Sequence, residues 1–131
     1  MQNRLKMRSL KLMICMMLVS SPLYAHEMTP TYPALQPSHM ANVYKASMEM
    51  FNKRQDVEYY EIGVFDQEWN AIPFVSSYTI FRIKYLGRVS FDVYIRKSDV
   101  SRATYICSIS KLRTAQNTRQ AISSRICSKF K

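Results

Sequence analysis

The chain has 131 residues, and its 47% apolar and 21% charged content describes a folded protein rather than a disordered one. Nineteen Lys and Arg against nine Asp and Glu give a formal charge of +10, which points to charged partners. Only two glycines occur, Gly63 and Gly87, so a Gly-rich phosphate loop is excluded, and no residue set identifies a particular reaction or ligand.

The first segment reads MQNRLKMRSLKLMICMMLVSSPLYAHE. Arg4, Lys6, Arg8 and Lys11 precede an apolar run from Leu12 to Val19, and small residues with Pro22 follow it. That is the anatomy of a signal peptide over residues 1–25, cleaved near Ala25, although Leu23 is larger than ideal at the third position before that bond. The run is too short to span a bilayer, which takes roughly 20 apolar residues. Ile14 before Cys15 argues against a lipoprotein. A buried N-terminal helix fits less well, because the basic residues precede the apolar run instead of interleaving with it. No later segment is apolar enough for a membrane helix. The expectation is export to a periplasm, a Gram-negative one by preference, or to the extracellular space. Without the four leader cations, 106 residues remain, with 15 Lys and Arg against 9 acids, a net of +6. That length suits one domain around one core.

Residues 26–37 hold Pro30, Pro33 and Pro37 without periodicity and read as an extended lead-in. A single small domain over 38–131 is expected after it. Ser38 is the expected cap of a helix running to about Lys53, with Met40, Val43, Tyr44, Met48 and Phe51 at three- and four-residue steps. That stripe reads as a core face rather than a ligand box. The stretch VEYYEIGVF, residues 57–65, reads as a strand, and DQEWNAIPF, residues 66–74, as a loop.

Residues 78–110 contain three β-rich runs separated by Gly87 and by Ser98-Asp99, which predicts an antiparallel meander. Their apolar residues share odd numbers: Phe81, Ile83 and Tyr85; Val89, Phe91, Val93 and Ile95; Ala103, Tyr105, Cys107 and Ile109. That parity predicts a hairpin with the loop Leu86-Gly87-Arg88 and a positive φ at Gly87 or Arg88. Ile83 would then oppose Phe91 and Phe81 oppose Val93. On the open face Arg82 would oppose Asp92, and Tyr78 would oppose Arg96. In the tail, Thr114 is a possible cap for a helix with Ala115, Ile122, Ile126 and Phe130 as its apolar stripe.

Cys15 leaves with the leader, so Cys107 and Cys127 remain, an even number in an oxidising compartment. A structural disulfide is expected. Zinc wants four ligands, and only His26 and His39 are left to add. A redox pair of thioredoxin type wants a two-residue spacing, not twenty. The fold class expected is α+β: an N-terminal helix, a three- to four-stranded antiparallel meander, and a C-terminal helix disulfide-bonded to the last strand.

Charge is segregated along the chain. From Glu27 to Glu68 there are 3 basic and 7 acidic residues, from Arg82 to Asp99 5 and 2, and from Val100 to Lys131 7 and none. Tyr78, Arg82, Lys84, Tyr94 and Arg96 on the open sheet face, with Arg119 and Arg125 from the last helix, make the expected binding surface, because Tyr and Arg carry interface energy most often. The function expected is that of an exported, non-enzymatic binding protein of the bacterial cell envelope, acting on a partner protein. The runner-up is a binder of an anionic polymer, nucleic acid or acidic polysaccharide, since cations mixed with aromatics grip phosphate and stack bases. Against it, Asp92 neutralises one arginine, and cations near a helix C-terminus complement its dipole. A small secreted hydrolase ranks third. Glu58, Glu61, Asp66 and Glu68 surround Trp69 in sequence and would suit glycoside hydrolysis, but Glu58 and Glu61 fall on opposite faces of the expected strand. His26 as a new N-terminus would chelate copper only with His39. No catalytic, metal or cofactor residue is assigned.

Overall fold

A computed structural model describes residues 25–111 and 123–131. Burial within them alternates at every second residue: Ala46, Met48 and Met50, then Tyr60, Ile62 and Val64, then Phe91, Val93 and Ile95 lie inside. That is the period of a strand with one face on a core. The strands are β1 (Glu27–Thr29), β2 (Gln36–Pro37), β3 (Val43–Phe51), β4 (Tyr59–Phe65), β5 (Val75–Ser76), β6 (Ile80–Arg82), β7 (Arg88–Arg96), β8 (Tyr105–Lys111) and β9 (Arg125–Lys129). One helical turn, α1 (Lys97–Val100), links β7 to β8.

The strands form two antiparallel sheets. The first has the order β1-β3-β7-β5, with β2 also paired to β3, and the second has the order β6-β4-β8-β9. Their inner faces close over a core of Met48, Met50, Tyr60, Ile62, Phe81, Phe91, Ile95 and Ile106. At about 25 cal/mol per Å² of apolar surface removed from water, such burial is the main stabilising term. Residues 26–37 are extended and contribute β1 and β2. After β1, at a cis Thr29–Pro30 bond, the chain crosses to the second sheet. There the Lys129 and Lys131 amides donate to the Thr31 and Pro33 carbonyls, at 3.0 and 3.1 Å.

The α+β expectation is therefore corrected to a β-sandwich. The expected N-terminal helix is β3, whose Lys, Ala, Met and Glu are good helix formers but whose even-numbered residues pack inward while Val43 to Phe51 pair with Arg96 to Arg88 of β7. Helix propensity yields here to tertiary pairing. The expected C-terminal helix is overturned over 125–129, which form β9, with Arg125 and Lys129 exposed and Ser128 buried. Thr114, Ala115, Arg119 and Ile122 of that expected helix lie outside the described residues, as does the expected leader through Tyr24.

The expected Phe81–Ile95 hairpin is also absent. Residues 83–87 carry the chain from one sheet to the other, so β6 pairs with β4 and β7 with β3. Phe81 and Phe91 meet across the core instead, with ring centroids 4.9 Å apart. Arg82 pairs with Glu58 and Asp92 with Lys45, not with each other. The positive φ falls on Leu86, at 59°. Gly87 serves another need, since a Cβ there would sit 2.9 Å from the Lys84 carbonyl oxygen. The odd-numbered core face holds at Phe81, Ile83, Phe91, Val93 and Ile95, with Val89 half-buried, but Tyr85 is exposed. In β8 the face shifts by one: Ile106, Ser108 and Ser110 face inward.

The disulfide is present, but between two strands. Cys107 lies directly opposite Cys127 in the β8–β9 pair, with Cα atoms 4.0 Å apart. Closing a loop of about 20 residues is worth about 3 kcal/mol through the unfolded chain. Replacing both cysteines by serine is expected to lower the unfolding free energy by about that amount in urea titrations, with the slope of the transition raised as the denatured chain expands.

Candidate functional site

Two side-chain assemblies stand out, one inside the sandwich and one on its surface. The inner one begins at His26, which is 1% exposed. Its Nε2 lies 2.7 Å from the Ser108 hydroxyl and its Nδ1 3.3 Å from that of Ser124. The Ser124 amide donates to the Ser110 hydroxyl at 2.7 Å. Arg54, also buried though less deeply, forks onto the exposed Asp56 through Nε and Nη2 at 2.9 and 2.5 Å and donates through Nη1 to the Ser124 hydroxyl at 3.1 Å. Asn52 closes the group: its amide nitrogen donates to the Val57 and Ile83 carbonyls, and its oxygen accepts from the Arg54 amide and the Tyr60 hydroxyl.

These contacts set the charges. Burial pushes the His26 imidazole down to about 4, with Arg54 adding to the effect and a bond to Ser108 opposing it. Burial pushes the Tyr60 phenol up to about 12. The bond from Arg54 holds the Asp56 carboxyl below the usual range. At neutral pH the assembly thus contains a neutral imidazole, a neutral phenol and one ion pair. The His26–Ser108 contact is enclosed, and both imidazole nitrogens are engaged by serines, so neither is presented to a metal or a substrate. Among the described residues, no three His, Cys, Asp or Glu side chains are grouped to hold a metal ion.

The outer assembly lies on the solvent face of the second sheet. The registers of β4 with β8 and of β8 with β9 pair odd-numbered residues with odd-numbered ones, so Phe65, Tyr105, the disulfide, Ile109, Arg125 and Lys129 share that face. Gly63 makes room for it. A Cβ at Gly63 would sit 2.7 Å from the Phe65 ring, which therefore lies over the glycine. Next to Phe65, Asp66 builds a tight turn: its carboxylate accepts the amides of Glu68 and Asn70 at 3.0 and 2.8 Å. That turn holds Trp69 at φ 66°, a conformation uncommon outside glycine. The indole is half exposed and stacks on Tyr105, with centroids 4.8 Å apart and planes 8° from parallel. The Arg125 guanidinium lies 5.7 and 5.8 Å from the Phe65 and Trp69 ring centroids, within cation–π reach.

The surface residues expected from sequence are distributed over the molecule. Arg82, on β6, joins Arg125 on the outer face of the second sheet, where it pairs with Glu58 and lies 5.9 Å from the Tyr59 ring centroid. Tyr94 and Arg96 belong to β7 in the first sheet, and Arg96 pairs with Asp99 at 3.1 Å. Tyr78 and Lys84 lie in the links before and after β6 and are exposed. Arg119 lies outside the described residues. Of the four acids near Trp69 in sequence, Glu58 binds Arg82, Glu61 binds Lys111 and Asp66 is spent in its turn. Phe65, Trp69 and Tyr105 were not singled out as a surface, although Gly63 within a strand and the Asp66–Asn70 spacing were signals for it.

The architecture is a two-sheet sandwich of immunoglobulin-like build. No family model matches the chain, and no curated protein matches it in sequence. Its fold is similar to that of solved structures. The E. coli chaperone DraB superposes with a TM-score of 0.61 at 14% identity, over 82% of this chain and 54% of its own. The periplasmic chaperone SfaE gives 0.51 at 12% identity, over 81% of this chain and 56% of its own. A PapD-like domain of human CEP192 gives 0.52 at 7% identity, over 86% of this chain and 89% of its own. The chain thus spans about half the length of either chaperone and most of the CEP192 domain.

The depressed His26 makes a pH prediction. The unfolded chain takes up a proton near pH 6.5 and the folded chain only near 4, so stability is fully present above 6.5 and falls as pH drops toward 4. The slope reaches at most about 1.4 kcal/mol per pH unit. The carboxylates held low by their partners, Asp56 and Asp92, lose their contribution further down as they protonate. Chemical denaturation between pH 4 and 7 is expected to show this loss in the native chain. In His26→Gln, less stable overall, the slope in that window is expected to be smaller.

Proposed function

We propose that this chain is an exported, non-enzymatic binding domain that docks a partner protein of the cell envelope on the outer face of its second sheet. The observation that carries the reading is the Phe65–Trp69–Tyr105 cluster with Arg125 over it. Trp, Tyr and Arg dominate binding hot spots, and a tight turn holds this indole half exposed where nothing in the core requires it. Arg82 at the opposite edge of the same sheet extends the surface, and Arg119 is a further candidate. Fold likeness to two chaperones, one of them periplasmic by name, supports a binding role without chemistry. The Cys107–Cys127 disulfide suits an oxidising compartment, and no described helix is long and apolar enough to cross a membrane.

A second reading, an anionic polymer as partner, has its own observation. Among the described residues, ion pairs take up Lys45, Lys53, Arg54, Arg82, Arg88, Arg96, Arg102 and Lys111. Among the same residues, Lys129, opposite Tyr105 of the aromatic cluster in the β8–β9 pair, and Lys131 at the end of the chain have no acidic partner.

Pull-down from envelope extract with the tagged mature chain distinguishes the two. A protein partner is expected to survive nuclease and high salt, and Trp69→Ala or Arg125→Ala is expected to weaken its capture by roughly 10- to 30-fold without altering the melting temperature by more than a few degrees. Capture that is lost with salt and unaffected by Trp69→Ala would transfer the function to the cations. Capture untouched by both variants would remove this face from consideration.

A further inference from the structure

Among the described residues, the first sheet has an edge that is left largely uncovered. The Lys97 amide donates to the Asn42 carbonyl at one end of the β3–β7 pair, and the Asn52 amide to the Gly87 carbonyl at the other. In the register that joins Val43 to Arg96 and Phe51 to Arg88, the odd-numbered residues of β7 therefore turn their backbone groups toward β3. The even-numbered residues turn theirs outward. On that outward side β5 is only two residues long and reaches Tyr94 and Val93 alone. Among the described residues, the amides and carbonyls of Arg88, Ser90 and Asp92 meet no backbone partner there. A cleft of about 370 Å³ lies there too, its lining running from Ser47 and Met48 of β3 across Ser90, Phe91 and Asp92 of β7 to Ser77. Unpaired strand edges are templates for another strand, and proteins usually blunt them with proline, charged side chains or a bulge. The segment RVSFD, residues 88–92, has no proline, and its two charges, Arg88 and Asp92, are opposite in sign.

We propose that a second copy of this chain occupies the edge, through antiparallel pairing of β7 with β7 about a two-fold axis at Ser90. This is independent of the docking face proposed above, which belongs to the other sheet. The occupant is identified by charge. With Ser90 opposite Ser90, Arg88 of each copy stands opposite Asp92 of the other, and all three outward residues exchange backbone hydrogen bonds with their counterparts. The complementarity runs one strand deeper. On the same face Glu49 binds Arg88 at 2.7 Å and Lys45 binds Asp92 at 3.3 Å. Across the axis the side chains read Glu49, Arg88, then Asp92 and Lys45 of the second copy, alternating in sign. Shifting the register by two residues in either direction breaks the pairing of Arg88 with Asp92 and leaves outward backbone groups unpaired. Val89 and Phe91 lie on the opposite side of the strand from these charges and would continue the apolar layer across the axis.

Sedimentation equilibrium of the mature chain from about 10 μM to about 1 mM is expected to show a monomer–dimer equilibrium. Arg88→Asp places like charges at both contacts, as does Asp92→Arg, and each is expected to raise the dimer dissociation constant roughly tenfold or more. An equimolar mixture of the two variants restores opposite charges at both contacts, so a mixed dimer is expected at near the native affinity, seen by tagging one variant. A native chain monomeric at about 1 mM overturns the proposal. So does a native dimer indifferent to both variants, or a loss in both that mixing does not restore while circular dichroism shows each folded. Should a charge variant fail to fold, Ser90→Pro removes an outward amide that has no partner among the described residues, and a dimer that survives it overturns the proposal.

Discussion

A neutral imidazole set against a buried guanidinium is the constraint on which this sandwich turns. His26, Asn52, Arg54, Tyr60, Ser108, Ser110 and Ser124 come from separate segments of the chain and satisfy one another inside it. Asn52 uses both donors and both acceptor sites, the full capacity of its side chain. Leaving any one member unpaired would cost about 1–3 kcal/mol, a large part of the stability of a small domain. The same contacts settle topology. Asn52 grips the Ile83 carbonyl where the chain changes sheets, His26 fastens the start of β1, and Ser124 fastens the approach to β9. The polar group acts as a locating pin, where apolar packing alone would tolerate sliding.

The surface follows from that arrangement. Acids gathered in the first half of the sequence are brought beside bases from the second half: Glu49 to Arg88, Glu58 to Arg82, Glu61 to Lys111. The charge gradient along the chain is thereby folded into cross-strand pairs, each exposed and individually worth little. Among the described residues, the cations left without an acidic partner include Arg125 and Lys129 on β9, a positive border next to the aromatic cluster. The two faces then differ in character. Both sheets present paired charges; the first adds an open edge, and the second adds a ring cluster and, among the described residues, cations without an acidic partner.

Much of this was legible, and the failures have identifiable causes. The strand at 57–65, the loop after it, the pairing of Cys107 with Cys127 and the inward positions of Phe81, Ile83, Phe91, Val93 and Ile95 all emerge from sequence. The helix expected at 38–53 came from Met and Tyr at helical spacing, while the inward alternation of Ala46, Met48 and Met50 was passed over because alanine and methionine are equally at home in helices. Beyond Ile95 the inward positions include Ile106, Ser108, Ser110 and Ser128. The strand at 105–111 is legible from its apolar odd-numbered residues, but its inward serines, which meet His26 and Ser124, conceal which face is buried. The hairpin failed for a different reason. Parity reports which residues share a core and says nothing about whether they share a sheet, so Phe81 and Phe91 were correctly placed inside and wrongly placed side by side. Arg82 and Arg125 were picked out as separate cations; nothing local told that they lie on one face.

The Cys107–Cys127 crosslink has a consequence for variation of the chain. Because the two cysteines are direct cross-strand partners, the β8–β9 register is set at that rung and not by the number of residues joining the strands. Residues could be inserted or deleted between Lys111 and Ser123 without sliding β9 along β8, and so without moving Arg125 away from Trp69. The connection can change in length and composition while that rung, and the face it fixes, stay in register.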